Sequence, residues 1–138
     1  MAIAYFPSLD SAESIEVTFI ARTGGDARLR LLVDSGFTGR SSFILPESAA
    51  RLAHARAAST NVAGALQGTQ KRVAVSYMIA ALSIQAMATA ILADTGGLAL
   101  PTGVDGLVGL AFLRRFRRWG AEKSDVGSWR FFLETDGA

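Results

Sequence analysis

An acidic side chain at the end of an apolar run is the feature of this sequence with the clearest chemical meaning. Residues 31–39 read LLVDSGFTG. Three apolar residues precede Asp34, and a serine and a glycine follow it directly. After Phe37 come a second hydroxyl residue and a second glycine. Placing a carboxylate at the end of a buried strand costs free energy unless a partner or a function uses it. Such a carboxylate can accept or donate a proton, which makes Asp34 the first candidate for acid–base chemistry.

A second apolar stretch, residues 106–113 (GLVGLAFL), lies about 70 residues further along the chain. Together the two stretches resemble the two signature segments of the retropepsin-like aspartic proteases, the single-lobe relatives of retroviral protease. The run FLRRF at 112–116 resembles the helix opening of bacterial members. In that family the acid-hydroxyl-glycine turn carries the catalytic aspartate, and the later glycine segment packs behind it.

This resemblance implies a role for each residue of the two segments. Asp34 would be the catalytic acid/base, and the Ser35 hydroxyl would bond across a dimer to the partner's turn. Gly36 would leave room for the substrate backbone, and Thr38 would support the loop that carries Asp34. Gly109 would pack where a side chain would displace this loop. The family's flap, which closes over substrate, would correspond to a hairpin tip made of Gly64, Ala65, Leu66, Gln67 and Gly68.

The mechanism that the resemblance implies requires two copies of the chain. Peptide hydrolysis without a metal or a nucleophilic side chain needs two carboxylates that share a proton. A single chain offers one such turn, so a homodimer would bring two Asp34 side chains together about a two-fold axis. The last strand, residues 129–133, would join an intersubunit sheet. The expected substrate is an extended peptide or protein segment, and no cofactor or metal is expected.

The chain departs from the family pattern at four positions. Phe37 stands where a small residue is usual and would narrow the substrate groove. Ala111 stands where many bacterial relatives have an acid. Thr38 and Leu110 stand where retroviral members have an ion pair that stabilises their dimer. Two alternatives therefore stay open: a non-catalytic peptide-binding or dimerisation module of the same fold, and an unrelated small β-barrel with a chance Asp-Ser-Gly turn.

Four other features of the sequence could suggest function, and each has a simpler interpretation. Asp94 begins an Asp-Thr-Gly triplet, the commoner triplet of the family, but the glycine segment follows too soon for a complete lobe, so we interpret it as a turn acid. Asp105 is interpreted in the same way. His54, the only histidine, is expected in a helix without a metal or triad role. Residues 114–118 (RRFRR) are expected to form a solvated helix face anchored by Phe116, not a nucleic-acid site.

The elements that must position these residues can be predicted from periodicity and turn signals. Alternation at 14–22 and the apolar run at 28–33 predict a hairpin that ends at the acid turn. A proline followed by an acid at 46–47 predicts a helix that continues to about residue 57. The remaining predicted elements are an extended piece at 42–45, two or three strands within 71–79 and 81–93, strands at 107–110 and 129–134, and a short helix at 111–119. The many alanines leave a helix between residues 80 and 90 as an alternative. The fold class is therefore all-β, a closed or partly open barrel of the aspartic protease type with one or two short helices.

Composition limits the classes of function. The 138 residues predict a single domain spanning 1–138. With 14 basic and 12 acidic residues, the charge balance favours neither nucleic acid nor an acidic partner. The absence of cysteine excludes disulfides and thiol catalysis. The sequence contains no long apolar span and no signal-peptide pattern, so we expect no membrane partner and a cytoplasmic protein.

Overall fold

The structure is a computed structural model of the chain, and it describes residues 2–9, 12–56, 60–62 and 68–136. Helical structure in this part is limited to the α-helix α1 (Leu110–Leu113) and short 3-10 helices at Glu47–Leu52, Ala80–Leu82 and Thr95–Gly97. None of these helices is long and apolar enough to cross a membrane. The strands are β1 (Ile3–Pro7), β2 (Ser14–Ile20), β3 (Ala27–Val33), β4 (Phe43–Pro46), β5 (Ala53–Arg56), β6 (Thr60–Val62), β7 (Gly68–Ile79), β8 (Ile84–Ala93), β9 (Gly106–Val108), β10 (Arg118–Lys123) and β11 (Trp129–Glu134).

Six of the strands form a closed barrel, which confirms the predicted all-β barrel. Their order is β2-β3-β9-β4-β8-β7, and antiparallel pairing between β2 and β7 closes the ring. Strand β2 shows why these residues form a barrel wall: Ile15, Val17 and Phe19 are buried, and the residues between them face outward. The interior holds a cluster of aromatic rings, among them Phe43, whose ring centroid lies 5.1 Å from that of Phe112.

The barrel topology repeats itself although the sequence shows no duplication. Strand β9 lies between β3, to which it is parallel, and β4, to which it is antiparallel. Strand β4 lies in turn between β9 and β8, to which it is parallel. Exchanging β2 with β7, β3 with β8 and β4 with β9 leaves the strand order unchanged. The connection from β3 to β4 and the connection from β8 to β9 are therefore equivalent, and each begins with an aspartate.

A second sheet, β1-β11-β10, packs beside the barrel. Its inner face contributes Ala4, Phe131 and Leu133 to the core. Glu134 is 4% exposed on β11 and accepts hydrogen bonds from Arg118, which raise the pKa of that guanidinium. Because β11 pairs with β1 on one side and β10 on the other, it has no free edge. The prediction that residues 129–133 join an intersubunit sheet would therefore require a second copy to pair with β1 or β10, the two edge strands of this sheet.

Two predicted helices are shorter than expected because strand pairing replaces them. The segment after Pro46 forms a 3-10 helix that ends at Leu52, and the chain then enters β5, which pairs with β7. His54 consequently lies in a strand, where its Nε2 is 2.7 Å from the carbonyl oxygen of Ile20. The helix predicted at 111–119 ends at Leu113, and Arg118 already belongs to β10. The arginine run is therefore a turn and a strand start, not a helix face, although Phe116 is buried as predicted.

Candidate functional site

The predicted acid turn is formed by residues 34–37. Asp34 Oδ1 accepts a hydrogen bond from the Gly36 backbone N–H at 3.0 Å, and the Phe37 N–H donates to the Asp34 carbonyl at 3.0 Å. Asp34 is half-buried, whereas Ser35, Gly36 and Thr38 are exposed. The structure therefore brings a carboxylate to the surface at the end of β3 and surrounds it with the small polar residues that the sequence predicted.

Backbone hydrogen bonds hold both ends of this turn. The Asp34 N–H donates to the Val108 carbonyl at 2.9 Å, which continues the pairing of β3 with β9. At the other end, the Leu110 N–H donates to the Phe37 carbonyl at 3.0 Å. The Gly109 N–H donates to the Ser42 carbonyl at 2.9 Å, at the entry to β4. Because each bond joins segments far apart in sequence, the position of the carboxylate depends on the whole barrel.

Gly109 lies directly against the acid turn. A Cβ atom built on Gly109 would be 2.4 Å from Phe37 Cδ2 and 2.7 Å from the Phe37 carbonyl oxygen. Real Cβ atoms essentially never come this close, so only glycine fits without moving the turn. The structure thus has Gly109 in the location that the resemblance implied, behind the Asp34 turn.

The sequence predicts that Phe37 narrows a substrate groove. In the structure, however, its side chain does not extend freely into a groove. Its ring covers Gly109, and it packs against a small apolar cluster that includes Ile44, Ile91 and Leu107. The aromatic side chain fills the space above a residue that has no side chain of its own. Phe37 therefore helps to fix the acid turn as well as bordering the surface beside it.

An apolar row crosses the outside of the barrel next to Asp34. Alternation along β3 puts Leu32 on the same face as Asp34, two residues away. The pairing of the strands then aligns side chains from four neighbouring strands in one row: Leu32, Leu107, Ile44 and Ile91. The sequence analysis did not predict this row. Leu32 and Leu107 each lie two residues before a site residue, Asp34 and Gly109, and this spacing could have indicated that they share its face of the strand.

The chain covers part of this apolar row with its own loop. Leu98 and Leu100, which follow the 3-10 helix Thr95–Gly97, pack against the cluster and remain partly exposed. Their backbones are joined by a hydrogen bond from the Leu100 N–H to the Leu98 carbonyl at 2.9 Å. Ile44, Ile91 and Leu107 are buried, and Leu32, the member nearest Asp34, is half-buried, so the row is a covered apolar cluster and not an open face.

The predicted flap can be compared only at its base. Strand β6 pairs with β7, and Val62 lies opposite Gly68, so a hairpin leaves the barrel at this place. Of the predicted tip, Gly68 begins β7, whereas Gly64, Ala65, Leu66 and Gln67 lie outside the described residues.

The two other candidate acids have structural partners. Asp94 Oδ1 accepts from the Gly96 N–H at 3.0 Å, the same bond that Asp34 makes with Gly36. Because β8 runs parallel to β4 and β4 antiparallel to β9, β8 ends at the opposite end of the barrel from β3. Asp105 Oδ2 accepts from the Arg30 N–H at 3.0 Å. Both are turn or loop acids, as predicted, and the structure does not bring Asp94 to Asp34.

The chain matches no protein family model, no curated protein and no solved structure. The evidence for a function of this chain therefore lies in its own residues and in the geometry of the Asp34 turn.

Proposed function

We propose that this chain is one half of an aspartic endopeptidase, in which two copies bring their Asp34 side chains together to activate a water molecule. The observation that carries this proposal is the Asp34 turn itself. Its carboxylate is accessible, while backbone hydrogen bonds to Val108 and Leu110 fix the turn. Gly109 packs so closely behind the turn that no side chain would fit there. Functional side chains are typically held in place by packing and hydrogen bonds of this kind.

The proposed chemistry uses one proton shared by two carboxylates. The ionised Asp34 of one protomer takes a proton from water as the oxygen attacks the scissile carbonyl carbon. The protonated Asp34 of the partner donates its proton to the carbonyl oxygen, which gives a tetrahedral intermediate. Collapse of this intermediate breaks the C–N bond, and the leaving nitrogen takes up a proton from the dyad. The half-buried side chains of Leu32 and Phe37 beside Asp34 support the binding of a peptide with apolar side chains near the cleaved bond.

The surface near Asp34 also supports contact with a second copy. The Val33 N–H donates to the Glu13 carbonyl, and the Glu13 carboxylate accepts from the Ser8 hydroxyl. The Ser8 N–H in turn donates to the Trp129 carbonyl at 3.2 Å, so Trp129 lies at the same end of the molecule as the acid turn. Trp129 is 53% exposed, which is unusual for so large an apolar side chain and typical of an interface.

We expect Trp129→Ser to weaken the homodimer by at least about tenfold, because buried aromatic residues dominate interface free energies. Sedimentation velocity over a range of protein concentrations would measure the monomer–dimer equilibrium. Ile3→Ser is the matched control, since Ile3 is an exposed apolar residue at the far end of the same sheet, opposite Glu134. A wild-type chain that stays monomeric even with peptide present would contradict the dimer, and with it the proposed enzyme.

A second expected result concerns the loop over the apolar row. Leu100→Ala should expose more of this row, so cleavage of peptides with Phe or Leu beside the scissile bond should increase several-fold relative to peptides with Ala. Competition between such peptides in one mixture measures the ratio of kcat/KM directly. An unchanged ratio would show that Leu100 does not border the bound peptide.

The test of the proposal is cleavage of a mixed peptide library by the wild-type protein at a concentration where the dimer is present. A non-catalytic peptide-binding or dimerisation module is the second candidate, favoured by the contact of Leu98 and Leu100 with the row. Peptide binding without cleavage would support this module instead.

A further inference from the structure

A cavity of about 370 Å³ lies between β1 and the outer wall of the barrel. One wall is aromatic and apolar, with Phe6 from β1 and Met78 from the end of β7. The opposite wall is formed by outward-facing residues of β2 and β3 and carries charged and hydroxyl groups. The cavity therefore offers apolar contact on one side and polar contact on the other, which is typical of small-molecule sites.

Ser14 places an unsatisfied hydroxyl at this cavity. Ser14 is 1% exposed, and its Oγ has no hydrogen-bond partner within the described parts of the chain. A buried hydroxyl without a partner destabilises the folded protein, and an alanine would avoid that cost. Ser14 is thus a polar group that a bound molecule could satisfy.

Arg30 supplies an unused positive charge on the same wall. Glu16 lies directly opposite Arg30 in the pairing of β2 with β3, but its ion pair, at 3.6 Å, is with Arg28. The Arg30 guanidinium has no partner among the residues that the structure describes. Ser14 is the diagonal neighbour of Arg30 on the same face, because it pairs with Leu32, two residues further along β3. Diagonal neighbours are about 7 Å apart, so one small anionic group can contact both side chains.

We propose that this cavity binds a small organic monocarboxylate with an aromatic or branched apolar body. One carboxylate matches one free guanidinium and can accept a hydrogen bond from the Ser14 hydroxyl. A dianion such as phosphate fits less well, because the Glu16 carboxylate also lines the cavity. The apolar body would lie against Phe6 and Met78. The carboxylate could belong to a free metabolite or to the C-terminus of a peptide.

The experiment is an amide-proton NMR titration of the full chain with phenylacetate, with its neutral analogue phenylacetamide, and with an acetylated peptide that ends in a free Phe carboxylate. We expect saturable shifts at residues 14–16 and 28–30 with phenylacetate and at least tenfold weaker binding of phenylacetamide. Peptide binding at the same residues would identify the peptide C-terminus as a source of the carboxylate, whereas phenylacetate binding alone would identify free metabolites.

Variants make the test specific. Arg30→Gln should weaken phenylacetate binding at least tenfold and Ser14→Ala about threefold, while Ser14→Ala should raise the melting temperature of the unliganded protein. Arg114→Gln, which removes an exposed arginine outside the cavity, should leave binding unchanged. Equal binding of acid and amide, unchanged binding by Arg30→Gln, or shifts confined to the Asp34 turn would each overturn the proposal. The proposal does not depend on peptidase activity, so either can fail without the other.

Discussion

Asp34→Asn is expected to abolish the cleavage of any peptide that the wild-type protein cuts, with a loss of turnover of about a thousandfold or more, because both proton transfers of the dyad are lost. The asparagine side-chain oxygen can still accept the 3.0 Å hydrogen bond from the Gly36 N–H, so the turn should keep its shape. Wild-type cleavage measured from about pH 4 to about pH 7 should follow a bell-shaped profile, because one carboxylate must be ionised and the other protonated.

The chain provides its own matched control for this substitution. Asp94 makes the same 3.0 Å bond to Gly96 in an equivalent connection at the opposite end of the barrel. Asp94→Asn should therefore retain full activity, while any general effect of replacing a turn aspartate would appear in both variants. Cleavage that survives Asp34→Asn would overturn the proposed mechanism. A wild-type dimer that cleaves nothing would favour the peptide-binding module.

The parts of the fold that sequence predicted correctly are those with strong local signals. The run LLV before Asp34 and the run GLV before Gly109 have the continuous apolar character of strands buried on both faces, and they pair in parallel as β3 and β9. The hydroxyl and glycine after Asp34 specify a turn in almost any context. Local pattern was therefore sufficient to find the acid turn and the segment behind it.

The parts that sequence missed depend on partners that are distant along the chain. Residues 114–119 contain good helix formers, yet the Arg117 N–H donates to the Glu134 carbonyl at 2.8 Å and β10 begins at the next residue. Strand β1 also depends on β11, more than 120 residues away. The free energy of such long-range pairing outweighs local propensity, which differs by less than about 1 kcal/mol per residue. The contact of Leu98 and Leu100 with the apolar row was missed for the same reason.

The repeated topology explains why the sequence contains two aspartate triplets but one candidate site. Each triplet begins one of the two equivalent connections, from β3 to β4 and from β8 to β9. Each aspartate carboxylate therefore accepts a hydrogen bond from the backbone N–H of the glycine two residues later. The turn at Asp34 is backed by Gly109 and the ring of Phe37. The triplet glycines do not distinguish the turns, because among the described residues a Cβ built on Gly36 or on Gly96 comes within 4 Å of the aspartate of its own turn alone. The difference between the two turns therefore lies in what packs behind them, which the triplets alone do not reveal.

Gly109→Ala is expected to lower the free energy of unfolding by about 3 kcal/mol, the upper range for forcing an extra methyl group into a packed site. The methyl group would lie 2.4 Å from Phe37 Cδ2, and the ring would have to move. Urea unfolding would measure the loss of stability, and amide-proton NMR would show whether the shifts concentrate at residues 34–37. Gly97→Ala is the control, because no described residue lies within 4 Å of a Cβ built on Gly97.

A second substitution separates the two contacts that exclude a side chain at position 109. Replacing the ring in the double variant Phe37→Ala and Gly109→Ala removes the contact at 2.4 Å but leaves the Phe37 backbone carbonyl 2.7 Å from the new methyl group. The double variant should therefore lose less free energy of unfolding than the two single variants together, but it should not regain all of the stability that Gly109→Ala removes. Full rescue would mean that only the ring requires glycine, whereas no rescue would mean that the backbone of the Asp34 turn does. The second outcome would also predict loss of catalysis, because the carbonyl cannot yield without displacing the turn that holds the carboxylate.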